Sequence, residues 1–454
     1  MILKRKIYSK LVDWKKKSNG KTALLIEGAR RVGKSTIVKE FAKANYKSFI
    51  VIDFAHVSKN IIQNFENNLI DLDIFFQRLS VQYNVQLFRR ESLIIFDEIQ
   101  LYPKAREAIK YLVMDGRYDF IETGSLISIK ENVKNILIPS EEERITMYPL
   151  DFEEFLWALK RTQLLELIKD CFNNKTPLPK EFHFQAMDFF NQYILVGGMP
   201  QSVVAYIQND LSFQEADIQK RNILSLYRED INKASSKYAL KIASIFESIP
   251  SFLSSNNKEV TLSGLDGGRI HEDFLEAFTW LDSLMIANLC YRVNDPNIGF
   301  ALTKDISRVK CYLGDTGLLF SLAFNENEIT SENLYKQILG GKLSINKGML
   351  YENVIAQMLR SQGRKLYFYT HYSKERHIND IEIDFLLSNE SKINFKVYPL
   401  EVKSSKNYTA TSYEKFKIKF GNRISKSFIV HPKNLIVNEN ETRLPPYMLF
   451  LLSN

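Results

Sequence analysis

The sequence predicts an α/β fold built on a parallel sheet, and two observations lead to this prediction. Between residues 21 and 150, short apolar runs alternate with segments of helical periodicity. The apolar runs are predicted to be strands, and in chain order they are residues 22–26, 49–53, 93–96 and 119–122. Because such strands are apolar along nearly their whole length and are separated by helices, we expect a parallel sheet that is covered on both faces.

The length of the chain, 454 residues, is too great for one hydrophobic core, so several domains are expected. After residue 152 the pattern becomes helical, and residues 258–300 are a candidate winged helix with a β-ribbon near residues 285–293. A further α/β pattern begins near residue 347. We therefore expect three domains, which comprise residues 1–150, 151–340 and 341–454.

The net charge of +8 and the pI near 9.0 are compatible with a polyanionic partner such as DNA. The chain is rich in Lys, Ile and Asn throughout, as AT-rich genomes encode, and this bias would explain the charge without any partner. The composition, 45% hydrophobic and 25% charged, is typical of a soluble globular protein.

The sequence also carries expectations about location. No run of 18 or more apolar residues occurs, so we expect no membrane span. Cys171, Cys290 and Cys311 lie far apart, as is typical of proteins in the reducing cytosol, and we expect a cytoplasmic location. The segment Met1 to Lys17 is basic and amphipathic but lacks the apolar block of a signal peptide. It is therefore predicted to be a helix that packs on the first domain.

A candidate phosphate-binding loop follows the first predicted strand. Residues 28–35 have the P-loop pattern GxxxxGK[ST] and open a predicted helix, which is the context that this motif requires. Backbone N–H groups and the helix N-terminus suit a polyphosphate. We expect Lys34 to reach the β- and γ-phosphates and Ser35 to bind Mg²⁺, the alternative being a glycine-containing turn without a ligand. The residues expected to contact the nucleotide are Gly28, Arg30, Arg31, Val32, Gly33, Lys34, Ser35 and Thr36, with the side chains of both arginines free to point away.

Two carboxylates end the third predicted strand. In a parallel sheet, Asp97 and Glu98 would lie at the carboxyl edge beside the phosphate loop. Asp97 is predicted to hold Mg²⁺, mostly through water, and Glu98 to polarise the attacking water. A solvated acidic turn is the alternative. The chain has no NKxD motif, so ATP is favoured over GTP.

Two further residues are candidates for contacts with the nucleotide. Thr123 closes the fourth predicted strand, where a hydroxyl is suited to sensing the γ-phosphate or the lytic water; an ordinary strand-ending turn is the alternative. Arg144 is suited to meeting a phosphate in cis or, in a homo-oligomer, from a neighbouring subunit. A structural salt bridge is an equally good interpretation of Arg144.

Several segments together resemble one known family. GARRVGKST, IIFDEIQ, TGS and YPLDFEEF, followed in order by LVGGMP, LYREDI, KCYLGDTGLL, GMLYENVIAQML, IEIDFLL and LEVKSS, are similar to a prokaryotic AAA-type ATPase family whose C-terminal domain has no assigned function. The resemblance covers nearly the whole chain. It implies an AAA-like P-loop ATPase core, a helical and winged-helix middle region, and a restriction-endonuclease-like α/β C-terminal domain. One departure is that Glu143-Arg144 stands where the family often has Gly-Arg.

The last predicted domain contains a second candidate site. Glu401 and Lys403 share one face of a predicted strand, Asp384 lies opposite an apolar strand face, and Glu352 lies on a partly apolar helix stripe. Carboxylates can hold Mg²⁺ or Mn²⁺, and a nearby lysine can orient or activate water for attack on a phosphodiester. The pattern resembles PD-(D/E)xK nucleases, with Asp384 and Glu401 as metal ligands and all four residues as catalytic. The alternative is a domain of this type whose charges pair with one another.

Three functions are consistent with these patterns. The favoured one is ATP-dependent action on DNA, in which ATP controls a metal-dependent nuclease domain. The second is an ATP-switched regulator that binds DNA or protein through a non-catalytic C-terminal domain. The third is a signalling ATPase that does not bind nucleic acid.

Overall fold

The computed structural model describes residues 1–124, 140–234, 236–255, 257–262, 272–324, 329–340, 342, 346–373, 375, 378–388, 396–405 and 411–452. The chain forms two compact units, Ile2–Tyr148 and Pro149–Asn454, and Met1 is grouped with the second. The predicted boundary at residue 150 lies two residues from this division. Within the described ranges, no helix is both long enough and apolar enough to cross a bilayer.

The first unit is a five-stranded parallel sheet with helices on both faces. Its strands lie in the order β2-β3-β4-β1-β5. They are β1 (Ala23–Gly28), β2 (Ser48–Asp53), β3 (Ser92–Asp97), β4 (Asp119–Thr123) and β5 (Glu142–Met147). The helices are α1 (Ile7–Ser18), α2 (Lys34–Asn45), α3 (Lys59–Asn67), α4 (Leu72–Tyr83) and α5 (Pro103–Asp115). The predicted parallel α/β sheet is therefore present, and its first four strands are those that the apolar runs predicted.

Each face of this sheet carries its own apolar core. On one face, Ile7, Leu11 and Trp14 of α1 pack with residues of β1 and α2. This contact confirms the prediction that the N-terminal segment is a helix packed on the first domain. On the other face, aromatic side chains of α3 and α4, such as Phe65 and Phe75, pack with apolar residues of β2, β3 and α5. Burial on both faces explains why β1 and β3 are almost continuously apolar.

The second unit begins with helices and continues into two mixed sheets. Its helices are α6 (Phe152–Ala158), α7 (Thr162–Asn173), α8 (Lys180–Val196), α9 (Pro200–Gln208), α10 (Phe213–Asn232), α11 (Ser236–Ser254), α12 (Glu272–Ser283), α13 (Thr316–Ala323), α14 (Glu332–Leu339), α15 (Lys347–Ser361) and α16 (Thr411–Phe420). The strands are β6 (Val260–Thr261), β7 (Ala287–Val293), β8 (Lys304–Leu313), β9 (Leu366–Ser373), β10 (Ile378–Ile383), β11 (Phe385–Ser388), β12 (Val397–Val402), β13 (Ser427–Val430), β14 (Ile436–Val437) and β15 (Glu441–Leu444).

The strand pairing in this unit crosses the predicted boundary at residue 340. One sheet has the order β10-β9-β7-β8-β6, and in it β7 pairs with β9 in parallel. Strands from both sides of residue 340 thus share one sheet, and Pro149–Asn454 forms one compact unit. The division into residues 151–340 and 341–454 stays a prediction. The other sheet has the order β11-β12-β13-β15-β14. Whether these mixed sheets form a restriction-endonuclease-like arrangement stays a prediction.

The candidate winged helix at residues 258–300 falls in the first of these sheets. The predicted ribbon corresponds to β7, which pairs antiparallel with β8, but β7 is also flanked by β9 and is therefore a central strand. Residues 263–271, which include the Gly267-Gly268 pair and the start of the amphipathic run, lie outside the described residues. The winged helix stays a prediction for that part of the chain.

Candidate functional site

The phosphate loop joins β1 to α2, in the strand–loop–helix context that the motif predicts. β1 ends at Gly28 and α2 begins at Lys34. Gly33 has φ 101°, a conformation that a side chain would strain. A Cβ added at Gly28 would overlap the carbonyl oxygen of Met147 at the end of β5. Glycine at both positions lets the loop backbone turn tightly beside the neighbouring strand.

Lys34 lies inside this loop. Its Nζ donates hydrogen bonds to the carbonyl oxygens of Gly28 at 2.9 Å and Ala29 at 3.0 Å. The side chain is only 8% exposed. Burial lowers the pKa of Lys34 to about 8, although the nearby carboxylates of Glu98 and Asp97 act in the opposite direction. An ammonium group held by backbone carbonyls is able to turn toward a polyphosphate that enters the loop.

Two predicted site residues, Ser35 and Thr123, contact the carboxylate of a third, Asp97. Its Oδ1 accepts a hydrogen bond from Ser35 Oγ at 2.7 Å and another from Thr123 Oγ1. These residues end β3, begin α2 and end β4, because parallel strands place their carboxyl ends at one edge of the sheet. Two hydroxyl groups and one carboxylate are hard oxygen donors, the type that Mg²⁺ prefers. This donor set fits Mg²⁺, with Ser35 and Asp97 as the residues that would hold it.

Glu98 follows Asp97 in a left-handed backbone conformation, with φ 53°. Gln100 Nε2 donates a hydrogen bond to the Glu98 carboxylate. The side chain of Glu98 is half-buried, whereas Gln100 is buried. Gln100 was not among the predicted site residues, although it ends the segment IIFDEIQ that contributes to the family resemblance.

The remaining loop residues have different surroundings. Val32 is buried in the core beneath the loop, so it contributes its backbone to the site and its side chain to packing. Arg31 and Thr36 are exposed and Arg30 is half-buried. Arg31 also adopts a positive φ of 68°. The position of these side chains relative to a nucleotide stays a prediction.

Arg144 lies among carboxylates on β5. Its Nε donates to Glu142 Oε1 at 2.8 Å, and its Nη1 is 3.8 Å from Glu27 Oε1. In the sheet, Arg144 is in register with Leu25, three residues before Gly28. These contacts favour the structural salt bridge over a phosphate contact in cis. A role in trans stays a prediction.

The same carboxylates belong to a buried network that the sequence did not indicate. Arg106 of α5 donates two hydrogen bonds to Glu142, each 2.8 Å long. Glu122, on β4, is fully buried beside Glu142. Burial, reinforced by the charge of Glu142, raises the pKa of Glu122 well above its usual range.

The C-terminal candidate site has a lysine at its centre. Lys310 of β8 is fully buried, and its Nζ lies 2.9 Å from Glu382 Oε1, 3.6 Å from Asp384 Oδ1 and 3.9 Å from Glu352 Oε2. We call Lys310, Glu352, Glu382 and Asp384 the lysine-centred cluster. Two of the predicted catalytic carboxylates, Glu352 and Asp384, are therefore brought together, but around an ammonium group. Lys310 lies more than forty residues before Glu352, and no sequence pattern connects the two.

Further donors satisfy the same carboxylates. Glu352 forms an ion pair with Lys258 and accepts a hydrogen bond from Tyr312 Oη at 3.2 Å. Asp384, which lies between β10 and β11, accepts a hydrogen bond from the backbone N–H of Val402 at 2.8 Å. Burial, together with the charge of Glu352, raises the pKa of Asp384 to about 7, against the opposing effect of Lys310.

Glu401 and Lys403 pair with each other. Lys403 Nζ lies 2.7 Å from Glu401 Oε2, and Glu401 is almost fully buried. Burial raises the pKa of Glu401 despite the nearby Lys403. Over the described parts of the chain, no group of three or more His, Cys, Asp or Glu side chains is arranged to hold a metal ion. Lys310 lies 3.6 Å from Asp384 and Lys403 lies 2.7 Å from Glu401. Whether Asp384 and Glu401 hold Mg²⁺ or Mn²⁺ stays a prediction.

Comparisons with known protein families match separate parts of the chain. Residues 20–156 match a family model described as an AAA domain. Residues 187–329 and 347–449 match models that are described only as domains of unknown function, DUF8612 and DUF4143. No curated protein matches the chain.

Solved structures give weaker similarities. The Walker-type ATPase PABY2304 of Pyrococcus abyssi has 13% identity and a TM-score of 0.39, with 71% of this chain and 96% of that chain covered. The Orc1 protein of Aeropyrum pernix in complex with DNA has 10% identity and a TM-score of 0.23, with coverages of 72% and 93%. AMPPCP-bound DnaA from Aquifex aeolicus has 11% identity and a TM-score of 0.28, with coverages of 75% and 94%. Similarities at these scores support no inference about this chain.

Proposed function

We propose that the first unit binds ATP with Mg²⁺ and hydrolyses it, and that the second unit is a non-catalytic DNA-binding module controlled by this ATPase. The observation that carries the ATPase part is the meeting of Ser35 and Thr123 on one carboxylate oxygen of Asp97, with Lys34 in the adjacent loop. A solvated acidic turn would not need these four side chains to converge from separate elements.

Each residue of the site has a defined task in this proposal. The loop N–H groups and Lys34 bind the β- and γ-phosphates, and Ser35 and Asp97 hold Mg²⁺, which neutralises phosphate charge when it is bound. Glu98 orients a water molecule toward the γ-phosphorus and accepts its hydrogen bond. The new P–O bond forms to that water while the bond to the β,γ-bridging oxygen breaks, which yields ADP and phosphate. Gln100 holds the Glu98 carboxylate in place.

The lysine-centred cluster is the observation that favours a regulator over a nuclease. A metal-dependent nuclease needs carboxylates with free lone pairs directed at a cation. Here Lys310 lies 3.6 Å from Asp384, and Lys258 forms an ion pair with Glu352. The nuclease-like fold of residues 341–454 stays part of the proposal, without an intact metal site. DNA is the partner that the net charge of +8 favours.

One assay tests both parts of the proposal. The full chain is incubated with supercoiled, linear or branched DNA, with and without ATP, Mg²⁺ and Mn²⁺. We expect ATP turnover and a DNA mobility shift without strand cleavage. Cleavage that disappears in Glu401→Gln would establish a nuclease and overturn the non-catalytic assignment. Binding to none of the DNA forms would remove DNA as the partner and leave a protein target.

A further inference from the structure

Arg5 joins the phosphate loop to the chain that follows β5. Its Nη1 donates a hydrogen bond to the carbonyl oxygen of Val32 at 3.0 Å, and its Nη2 donates to the carbonyl oxygen of Tyr148 at 2.6 Å. The side chain is only 7% exposed. Arg5 lies two residues before α1, whose apolar residues share a core with Val32 and Met147. The guanidinium therefore bridges two backbone segments from a position fixed by packing.

The contact with Val32 bears on the geometry of phosphate binding. The carbonyl of Val32 and the N–H of Gly33 belong to one planar trans peptide, so they point in opposite directions. A hydrogen bond that fixes the Val32 carbonyl toward Arg5 consequently fixes the Gly33 N–H away from it. Loop N–H groups are the groups that bind a polyphosphate in such a motif. Gly33 is flexible by itself, because glycine accepts many backbone conformations.

A guanidinium is suited to this task in a way that other side chains are not. It presents several N–H donors in a rigid plane and can reach two carbonyl oxygens at once. A lysine at the same position would keep the charge, but its ammonium lacks the rigid planar fork of donors that fixes both carbonyls in one orientation. The pairing with Tyr148 fixes the plane of the group, and this in turn fixes the donor that meets Val32.

We propose that Arg5 is a positioning residue for ATP, which presets the Val32–Gly33 peptide so that its N–H faces the phosphates before nucleotide binds. Arg5 contacts no substrate and acts through the loop backbone. The inference rests on the proposed ATP site. An arginine that only stabilised the unit would affect unfolding and leave the affinity for nucleotide unchanged, so the two roles predict different measurements.

The test compares Arg5→Met and Arg5→Lys with a matched control, Arg117→Met, in the full chain. Arg117 also bridges two groups of the same unit, the carboxylates of Asp73 and Asp115, at 2.6 Å each. Both of these carboxylates lie outside the phosphate loop. For each variant we would measure Tm, the Kd for a non-hydrolysable ATP analogue with Mg²⁺, and the KM and kcat for ATP below the melting range.

The proposal predicts a specific pattern of results. Arg5→Met should raise Kd and KM by about tenfold, because the loop loses the charge-assisted hydrogen bond that keeps it ordered. The change in kcat should be smaller. The Kd and KM of Arg5→Lys should fall between those of Arg5→Met and wild type. If Arg5→Met does not fold, the values for Arg5→Lys alone test whether Arg5 positions the loop. Arg117→Met should lower Tm and leave Kd and KM within about twofold of wild type.

Two outcomes would overturn the inference, and they are distinguishable. If the Arg5 variants have a lowered Tm, as Arg117→Met does, while Kd and KM stay at wild-type values, then Arg5 stabilises the fold but does not position the loop for nucleotide. If wild type itself fails to bind the analogue, the proposed ATP site is wrong, and the role of Arg5 fails with it.

Discussion

The hydroxyl of Thr123 donates a hydrogen bond to Oδ1 of Asp97, across the ends of two neighbouring parallel strands. The same oxygen accepts the hydroxyl of Ser35. Thr123 thereby links β4 to the carboxylate that is proposed to hold Mg²⁺. The Thr123 hydroxyl has one proton to donate, so a hydrogen bond to the γ-phosphate or to the lytic water would replace its bond to Asp97. Such an exchange would couple the occupancy of the γ-phosphate position to the end of β4.

This relationship predicts the effect of changing Thr123. Thr123→Val keeps the shape of the side chain but removes the hydroxyl, so it should lower kcat about tenfold while leaving nucleotide affinity near wild type. Thr123→Ser restores the donor and should recover most of the activity. The measurement is steady-state ATPase kinetics together with analogue binding. Equal kcat values for Thr123→Val and wild type would mean that the hydroxyl only ends a strand.

Substitutions of Lys34 and Glu98 should affect nucleotide binding and ATP turnover differently. Lys34→Ala should abolish nucleotide binding, because it removes the positive charge that faces the β- and γ-phosphates. Glu98→Gln should retain binding and lower turnover by at least about a hundredfold, because only the group that polarises water is lost. The measurements are analogue binding and phosphate release. Turnover at the wild-type rate in Glu98→Gln would show that another group orients the water.

The meeting of Ser35, Asp97 and Thr123 at one edge of the sheet could be predicted from the sequence, for a physical reason. Ser35 belongs to a local motif, and Asp97 and Thr123 end apolar strands whose parallel pairing brings them to one edge. Arg5 and Lys310 were missed because their partners lie far along the chain, and no local pattern records which backbone carbonyl or carboxylate a buried cation meets.

Two features of the fold were not predicted, for similar reasons. β5 was missed because it is the edge strand of the described sheet and carries the polar residues Glu142, Glu143 and Arg144. The sheet shared across residue 340 was missed because the pairing of β7 with β9 is not local. The lysine-centred cluster depends on strands from both sides of that boundary, so the sequence reveals its carboxylates but not the cation among them.

The buried carboxyl of Glu122 predicts a pH-dependent difference in stability. Its pKa is raised in the folded protein, so the folded state keeps a proton that the unfolded chain releases above its ordinary pKa. Wild type therefore loses stability as pH rises from that value toward the raised pKa. Glu122→Gln carries no such proton and should melt at a higher temperature than wild type at pH 8, with a smaller difference at pH 5.

Thermal melts over this pH range provide the check for Glu122. Glu91→Gln is the control, because Glu91 is exposed, with a side chain that is 62% accessible, and its change should produce no such trend. A difference between Glu122→Gln and wild type that is constant with pH would show that Glu122 is ionised in the folded state.

The contacts of Arg144 predict that its substitution lowers the stability of the fold slightly and leaves ATP turnover unchanged. Arg144→Ala should cost at most about 1 kcal/mol in the free energy of unfolding, because the side chain is 44% exposed and its ion pairs are screened by solvent. ATP turnover per chain should stay near wild type at every protein concentration. Mixing Arg144→Ala with Lys34→Ala checks the alternative. Recovery of activity in mixed assemblies would identify Arg144 as a residue that acts across a subunit interface.

The last prediction concerns the buried ammonium of the lysine-centred cluster. Lys310→Met removes the positive charge shared by Glu352, Glu382 and Asp384 and leaves buried carboxylates without it. Breaking a buried ion pair from one side is strongly destabilising, so we expect a loss of about 3–5 kcal/mol in the free energy of unfolding. Adding Asp384→Asn to Lys310→Met should recover part of this loss, because a neutral amide needs no counter-charge.

Thermal melts of the same variants with and without divalent cations distinguish the lysine-centred cluster from a nuclease site. Without nucleotide, Mg²⁺ or Mn²⁺ should shift the Tm of wild type and of Asp384→Asn equally, because Lys310 already neutralises the carboxylates. Lys310→Met should gain a metal-dependent stabilisation that wild type lacks, since a bound cation can then replace the missing ammonium. The full chain is used because the cluster spans strands on both sides of residue 340. A metal-dependent rise in Tm that wild type shows and Asp384→Asn loses would mean that Lys310 does not exclude a cation, and the C-terminal carboxylates would again be candidates for a nuclease site.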